Sequence, residues 1–254
     1  MIDTHTHLYD EKFNDDRNDM IQRAIQSGVE RMYLPNCDSG TIEGMLEVEQ
    51  NFPSHCFAMM GLHPCSVNEQ VDEELRIVRE WLDKRSFCAI GEIGLDYYWD
   101  KTFVDHQKKA FRTQIEWALE FNIPIVIHTR EATRDTIDIV REYSSKGIKG
   151  VFHCFSGSYE SAVQIIDMGF YLGIGGVLTY KNAGLQEVVQ RIDLKHLVLE
   201  TDSPYLTPAP HRGKRNESSY VNLVAQKLAE LKGVSLDEVR SVTTENALEL
   251  FQHN

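Results

Sequence analysis

The 254-residue sequence has no Cys-x-x-Cys pair, and its five cysteines, Cys37, Cys56, Cys65, Cys88 and Cys154, are odd in number and scattered. That spacing speaks against a zinc ribbon and against a disulfide framework. Cys37, Cys56 and Cys88 read as small core residues, while Cys154, directly after His153, is open between packing and chemistry. No apolar run approaches the roughly 20 residues needed to span a bilayer. Nor does a basic segment followed by an apolar stretch open the chain, so neither anchor nor signal peptide is expected and the expected compartment is the cytoplasm. Positive charge is scarce: 26 Lys and Arg stand against 39 Asp and Glu, a net charge of −13. Such an excess argues against broad electrostatic binding of a duplex, but leaves room for a locally basic mouth that takes one phosphate or a strand end.

Hydrophobic residues make up 42% of the chain and charged residues 26%, ordinary values for a globular protein. No linker, repeat or low-complexity segment divides it, so residues 1–254 are expected to form one domain. Its rhythm is a short apolar run followed by an amphipathic stretch. Strands are expected at 1–7, 31–36, 56–63, 87–96, 124–128, 150–153, 170–175 and 196–202. Helical spacing fills 13–28, 39–51, 69–84, 103–121, 131–146, 159–168 and 183–192, with two more helices at 219–231 and 235–251. Asp38 or Ser39 is a candidate cap for the second helix. Eight strands alternating with helices in this length fit an α/β fold of the (β/α)8 TIM-barrel type with an extra C-terminal helix better than an open doubly wound sheet.

Several strands end in a metal-ligating residue: His5 and His7 on the first, His63 on the third, Glu92 on the fourth, His128 on the fifth, His153 on the sixth and Asp202 on the eighth. Taken singly, each has a plain alternative, since a lone strand-end histidine is often a hydrogen-bonded structural residue and Asp202 before Ser203-Pro204 could cap a turn. Together they point to the C-terminal mouth of a barrel, where catalytic groups gather. His5 and His7 share a strand face. By the same alternation Ile90 is expected to share a face with Glu92, Val126 with His128, and Val151 with His153.

Four imidazoles and two carboxylates exceed what one open catalytic ion needs, and suffice for two divalent ions if one carboxylate bridges. Strand order makes Glu92 the natural bridge, with His5, His7 and Asp202 completing one site and His128 and His153 the other. Asp202 is then the candidate general base toward water. Arg130 and the basic loop containing Arg212 and Arg215 are candidate phosphate grips. A solvated loop, and an ion pair of Arg130 with Glu131 or Asp135, remain open as alternatives.

The segments Asp3-Thr-His-Thr-His-Leu8, Gly61-Leu-His-Pro64, Gly91-Glu-Ile-Gly-Leu-Asp-Tyr97, Pro124-Ile-Val-Ile-His-Thr-Arg130, His153-Cys-Phe-Ser-Gly157, Glu200-Thr-Asp-Ser-Pro204 and Arg212-Gly-Lys-Arg-Asn216 resemble the signature stretches of the TatD family of metal-dependent hydrolases and deoxyribonucleases. The resemblance implies a TIM barrel of the amidohydrolase-like superfamily holding two divalent cations (Mg, Mn or Zn). It assigns one to His5, His7, Glu92 and Asp202, and the other to Glu92, His128 and His153. It further implies that His63 lies near the substrate phosphate and that the substrate is DNA, as a single strand or a 3′ end, cut by a 3′ to 5′ exonuclease. Glu217-Ser-Ser219 departs from the family pattern, which commonly has proline after Asn-Glu, and leaves the shape of that loop open. Two other functions stand beside this one. An amidohydrolase or lactonase would act on C–N or C–O bonds, although many of its dinuclear members bridge their metals with a modified lysine where this chain has Glu92. A non-catalytic metal-stabilised binding protein fits poorly, because the donor set leaves coordination positions open.

Overall fold

The computed structural model describes residues 1–252, and among them the chain forms eight strands and nine α-helices. The strands are β1 (Ile2–Asp3), β2 (Arg31–Leu34), β3 (Cys56–Ala58), β4 (Ile90–Asp96), β5 (Ile125–Arg130), β6 (Gly150–Phe152), β7 (Tyr171–Ile174) and β8 (Leu197–Leu199). The helices are α1 (Arg17–Gln26), α2 (Ile42–Asn51), α3 (Val71–Lys84), α4 (Val104–Phe121), α5 (Thr133–Ser144), α6 (Tyr159–Asp167), α7 (Leu185–Arg191), α8 (Val221–Lys232) and α9 (Leu236–Phe251). Every strand pairing is parallel, in two runs, β1 to β3 and β4 to β8. Bridges Met60↔Ile90 and Thr6↔Ser203 join the two runs into a closed barrel. The closing seam is reinforced where Thr4 N donates to the Leu199 carbonyl at 3.0 Å and Asp202 N to the His5 carbonyl at 2.9 Å.

Two apolar layers follow from strand alternation. The inner one takes Ile2, Tyr33, Met59, Ala89, Val126, Val151 and Val198, with Tyr171 packed against it. Each strand, or the residue flanking it, supplies one. Phe251 of α9 stacks on Tyr33 with ring centroids 4.1 Å apart, and Ala247 and Leu250 join the same cluster, so the last helix plugs the barrel at its N-terminal end. The outer layer, which includes Leu34, Ile93, Ile125, Ile127 and Phe152, is covered by the helices.

Helix ends follow local chemistry. Ser235 caps α9 by accepting from Glu238 N at 3.1 Å, and Asn122 ends α4 in the left-handed conformation just ahead of Pro124. The expected cap of α2 is corrected: Thr41 occupies that position without a side-chain cap bond. Asp38 instead accepts from Gly40 N and Ser66 Oγ, and Ser39 N donates to Glu74.

The expected shared face of Ile90 and Glu92 is also corrected. Ile90 pairs with Ile125 and Ile93 with Ile127, so three steps of β4 oppose two of β5. This bulge shifts the alternation by one residue. Ile90 joins the outer layer while Glu92 points inward. A Cβ on Gly91 would lie 2.7 Å from Val126 Cβ, so the bulge needs glycine there.

Candidate metal centre

Beyond the inner apolar layer the strand ends turn polar. His5 and His7 lie just past β1, held by the fully buried Asp3, which accepts from His5 N at 3.4 Å, Thr201 N at 2.9 Å and Thr201 Oγ1 at 2.7 Å. Burial pushes the Asp3 carboxyl up to about 7, against the pull of these donors. His63 follows β3, Glu92 lies within β4, His128 within β5, His153 just past β6 and Asp202 just past β8.

All seven side chains converge, and Glu92 stands at their centre. Its Oε2 is 3.1 Å from His5 Nε2 and 3.7 Å from His7 Nε2. Its Oε1 is 2.8 Å from His128 Nδ1, 3.0 Å from His153 Nε2 and 3.3 Å from His63 Nε2. One carboxylate thus presents a separate oxygen to each of two groups of imidazoles. Asp202 completes the first group, with Oδ1 3.4 Å from His7 Nε2 and 3.7 Å from His5 Nε2. The two groups meet where the His5 and His153 rings stack at 3.7 Å.

The donor chemistry fits divalent cations. His5 and His7 bring their Nε2 atoms to 3.3 Å of each other, and three overlapping sets of ligand atoms form: His5, His7 and Glu92; His5, His153 and Asp202; His63, Glu92 and His128. Imidazole with carboxylate is the donor set of catalytic Zn, Mn or Fe sites. Burial disfavours the Glu92 anion, yet His153, His63 and His5 around it and the His128 hydrogen bond outweigh burial and hold its carboxyl well below the usual range. Burial lowers His5 and His63, which favours the neutral imidazole that binds metal, whereas anionic neighbours outweigh burial and raise His7, His128 and His153, so that a cation binding there displaces protons.

Two carboxylates behind the imidazoles had no periodic signal in the sequence. Asp96, at the end of β4, lies 2.8 Å from His128 Nε2 and so directs His128 Nδ1 toward Glu92. Glu200, fully buried just after β8, has Oε1 3.3 Å from His153 Nδ1 and accepts from Cys154 N at 2.5 Å. A Cβ on Gly173 would sit 2.2 Å from Glu200 Oε2, so glycine in β7 makes room for this carboxylate. Such partners orient a ligating imidazole and raise its basicity. Glu200→Gln is expected to weaken metal binding about tenfold to a hundredfold while leaving the thermal midpoint of the metal-free protein within a few degrees. Metal titration followed by calorimetry, beside a melt in chelator, checks both halves.

The remaining expected residues separate. Arg130 and Arg212 are exposed, Arg130 over the Tyr98 ring at 3.7 Å and Arg212 over the Tyr180 ring at 4.0 Å. Arg130 therefore stacks on an aromatic ring, and Asp135 is engaged by Lys108 and Tyr97 instead. Arg215 is committed elsewhere: its guanidinium donates to both oxygens of Asp16 at 2.7 Å and to the Lys12 carbonyl. Glu217, in the loop left open above, pairs with Arg23 at 2.7 Å and ties that loop to α1. Cys56 and Cys88 are core residues, but Cys37 is half-buried beside the site, its Sγ 3.8 Å from His7 Nδ1 and 3.4 Å from Tyr9 Oη. The reading of Cys37 as core is corrected accordingly.

The family model described as TatD related DNase matches residues 2–252 of this chain. The chain belongs to the TatD family. Among its TatD relatives, the uncharacterized metal-dependent hydrolase YabD of Bacillus subtilis is 44% identical over 255 residues, covering 100% of both chains. The 3′-5′ ssDNA/RNA exonuclease TatD of Erwinia tasmaniensis is 30% identical over 99% of each. The crystal structure of YjjV, a TatD homologue from Escherichia coli, superposes with a TM-score of 0.94 at 28% identity, over 100% of this chain and 98% of that one. The chain is thus a TatD-family metal-dependent hydrolase on a (β/α)8 barrel. Among the described residues no helix is long and apolar enough to cross a membrane.

Proposed function

We propose that this chain hydrolyses phosphodiester bonds of DNA from a 3′ end, with a single strand as substrate and two divalent cations, Mg, Mn or Zn, as cofactors. The observation that carries this reading is the placement of the two Glu92 oxygens, one toward His5 and His7 and the other toward His63, His128 and His153. His5, His7, Glu92 and Asp202 would hold one cation, and Glu92, His128 and His153 the other. Cations bound there supply charge stabilisation for phosphate oxygens and acidify water.

The side chains divide the remaining work by exposure. Asp202, with 15% of its side chain exposed against 2% for Glu92, is the carboxylate that solvent reaches, and it takes the proton of the attacking water. His63, at 14%, lies at the edge of the cluster, where its imidazole meets a phosphate oxygen. Arg130, at the end of β5, and Arg212, on the loop after β8, hold the neighbouring phosphates. Arg215 has a smaller part in that grip because Asp16 already occupies its fork. The Erwinia relative, by its name a 3′-5′ exonuclease on ssDNA and RNA, supports this choice of substrate.

The test is digestion of a 3′-labelled single-stranded oligonucleotide in Mg or Mn, with wild type beside Asp202→Asn. Wild type is expected to release nucleotides, and Asp202→Asn to do so slower by about 10² to 10⁴. Absence of release with every divalent ion, from folded and metal-loaded protein, would sink the DNA assignment and shift the reaction to a C–N or C–O bond.

A further inference from the structure

Large apolar side chains that face solvent are concentrated at one end of this molecule. Among the described residues, Tyr98, Trp99, Tyr205, Leu206 and Leu248 are exposed, and the first four lie in the loops after β4 and β8. Those two loops adjoin the metal centre from different sides. Tyr98 N and Trp99 N both donate to Asp96 Oδ1, at 2.9 and 3.2 Å, while the other oxygen of Asp96 holds His128. Tyr205 N donates to the Asp202 carbonyl at 2.8 Å, and the Tyr205 ring stands edge-on to His7 with centroids 6.1 Å apart. The exposed rings are therefore fixed to the backbone and side chains of the ligand set itself.

Each ring group also carries a cation. Arg130 lies 3.7 Å from the Tyr98 centroid and 5.3 Å from that of Trp99, and Lys12 Nζ lies 4.3 Å from the Tyr205 centroid. In a chain of net charge −13, two aromatic and cationic groups flanking one acidic centre form a local exception. Water does not favour exposed rings, and Trp99 is 69% exposed, Tyr98 48% and Tyr205 44%. Flat apolar faces beside cations complement one chemistry well: an unpaired nucleobase with its phosphate.

We propose that Trp99 with Tyr98, and Tyr205 across the mouth, are stacking platforms for unpaired bases of the strand end, with Arg130 and Lys12 meeting the phosphates between them. This rests on the nucleic-acid reading above and adds the residues that select a single strand over a duplex. Bases paired and stacked within a helix have no free face to offer. A paired end must be opened before the platforms act.

The test compares wild type, Trp99→Ala, Tyr205→Ala and Trp99→Phe on three labelled substrates: a single strand, the same strand lacking its last two bases, and a blunt duplex. KM and kcat are read with metal, and Kd by anisotropy in chelator. Each alanine variant is expected to raise KM and Kd for the ordinary strand about tenfold or more, with the change in kcat smaller, and Trp99→Phe to recover most of the loss. Removing the bases should weaken wild type by a similar factor and weaken the alanine variants little further. Equal KM and Kd for wild type and both alanine variants, base removal without effect, or a blunt duplex taken as well as a single strand overturns the platforms while leaving the nuclease intact. No nucleotide release by wild type from any of the three substrates overturns the nuclease reading and the platforms with it.

Discussion

Glu92→Gln is expected to lower turnover about a thousandfold or more and to leave the protein unable to retain its full complement of divalent metal. The substitution keeps the size and one acceptor oxygen, but replaces the oxygen facing either His5 and His7 or His128, His153 and His63 by an amide nitrogen, which is a donor. Among the described residues it also removes the only carboxylate within hydrogen-bond range of both imidazole groups. The side chain is 2% exposed, so water cannot take over the lost charge. Bound metal by elemental analysis, measured beside kcat on the labelled strand, decides the matter. A variant that keeps two ions and stays within about tenfold of wild-type turnover would show that the two groups do not depend on a shared carboxylate.

The barrel was legible because its causes are local and periodic. The seven runs of helical spacing and the two at the C-terminus all became helices, within a few residues at each end. The candidate ligand histidines were legible because each sits where a strand of apolar residues stops. What stayed hidden depends on pairing between distant strands. That Ile90 faces outward while Glu92 faces the mouth comes from a bulge against β5, and β4 alone carries no sign of it. Asp96 and Glu200 reach His128 and His153 from other strand ends, so no spacing along the chain marks them. The basic loop read as one unit, yet Asp16, 199 residues away, engages Arg215 while Arg212 stays exposed. No spacing along the chain marks Tyr98 and Trp99 as exposed; the fold alone leaves them in solvent.

The strand pair that carries Glu92 and His128 has a second requirement, which makes Gly94→Ala the other large effect. Gly94 pairs with His128, and its φ is +144°, a conformation that side-chain-bearing residues rarely adopt. A Cβ there would stand 2.0 Å from the His128 carbonyl oxygen, 3.0 Å from its carbon and 3.1 Å from its nitrogen, all backbone atoms with no rotamer to yield. Strain and overlap together should destabilise the fold by about 3 to 5 kcal/mol. Any relief must move β5 and carry His128 away from Glu92. Gly28→Ala is the control, since Gly28 has φ +90° but nothing within 4 Å of the added carbon. Only the backbone term applies there, about 1 to 2 kcal/mol. Urea unfolding of both variants in chelator separates the two contributions, and metal titration reports the displacement of His128. Equal losses of stability would mean that the β4–β5 contact opens around a methyl group at little cost, and that the separation of the Glu92 and His128 strands is not what holds the candidate metal ligands in place.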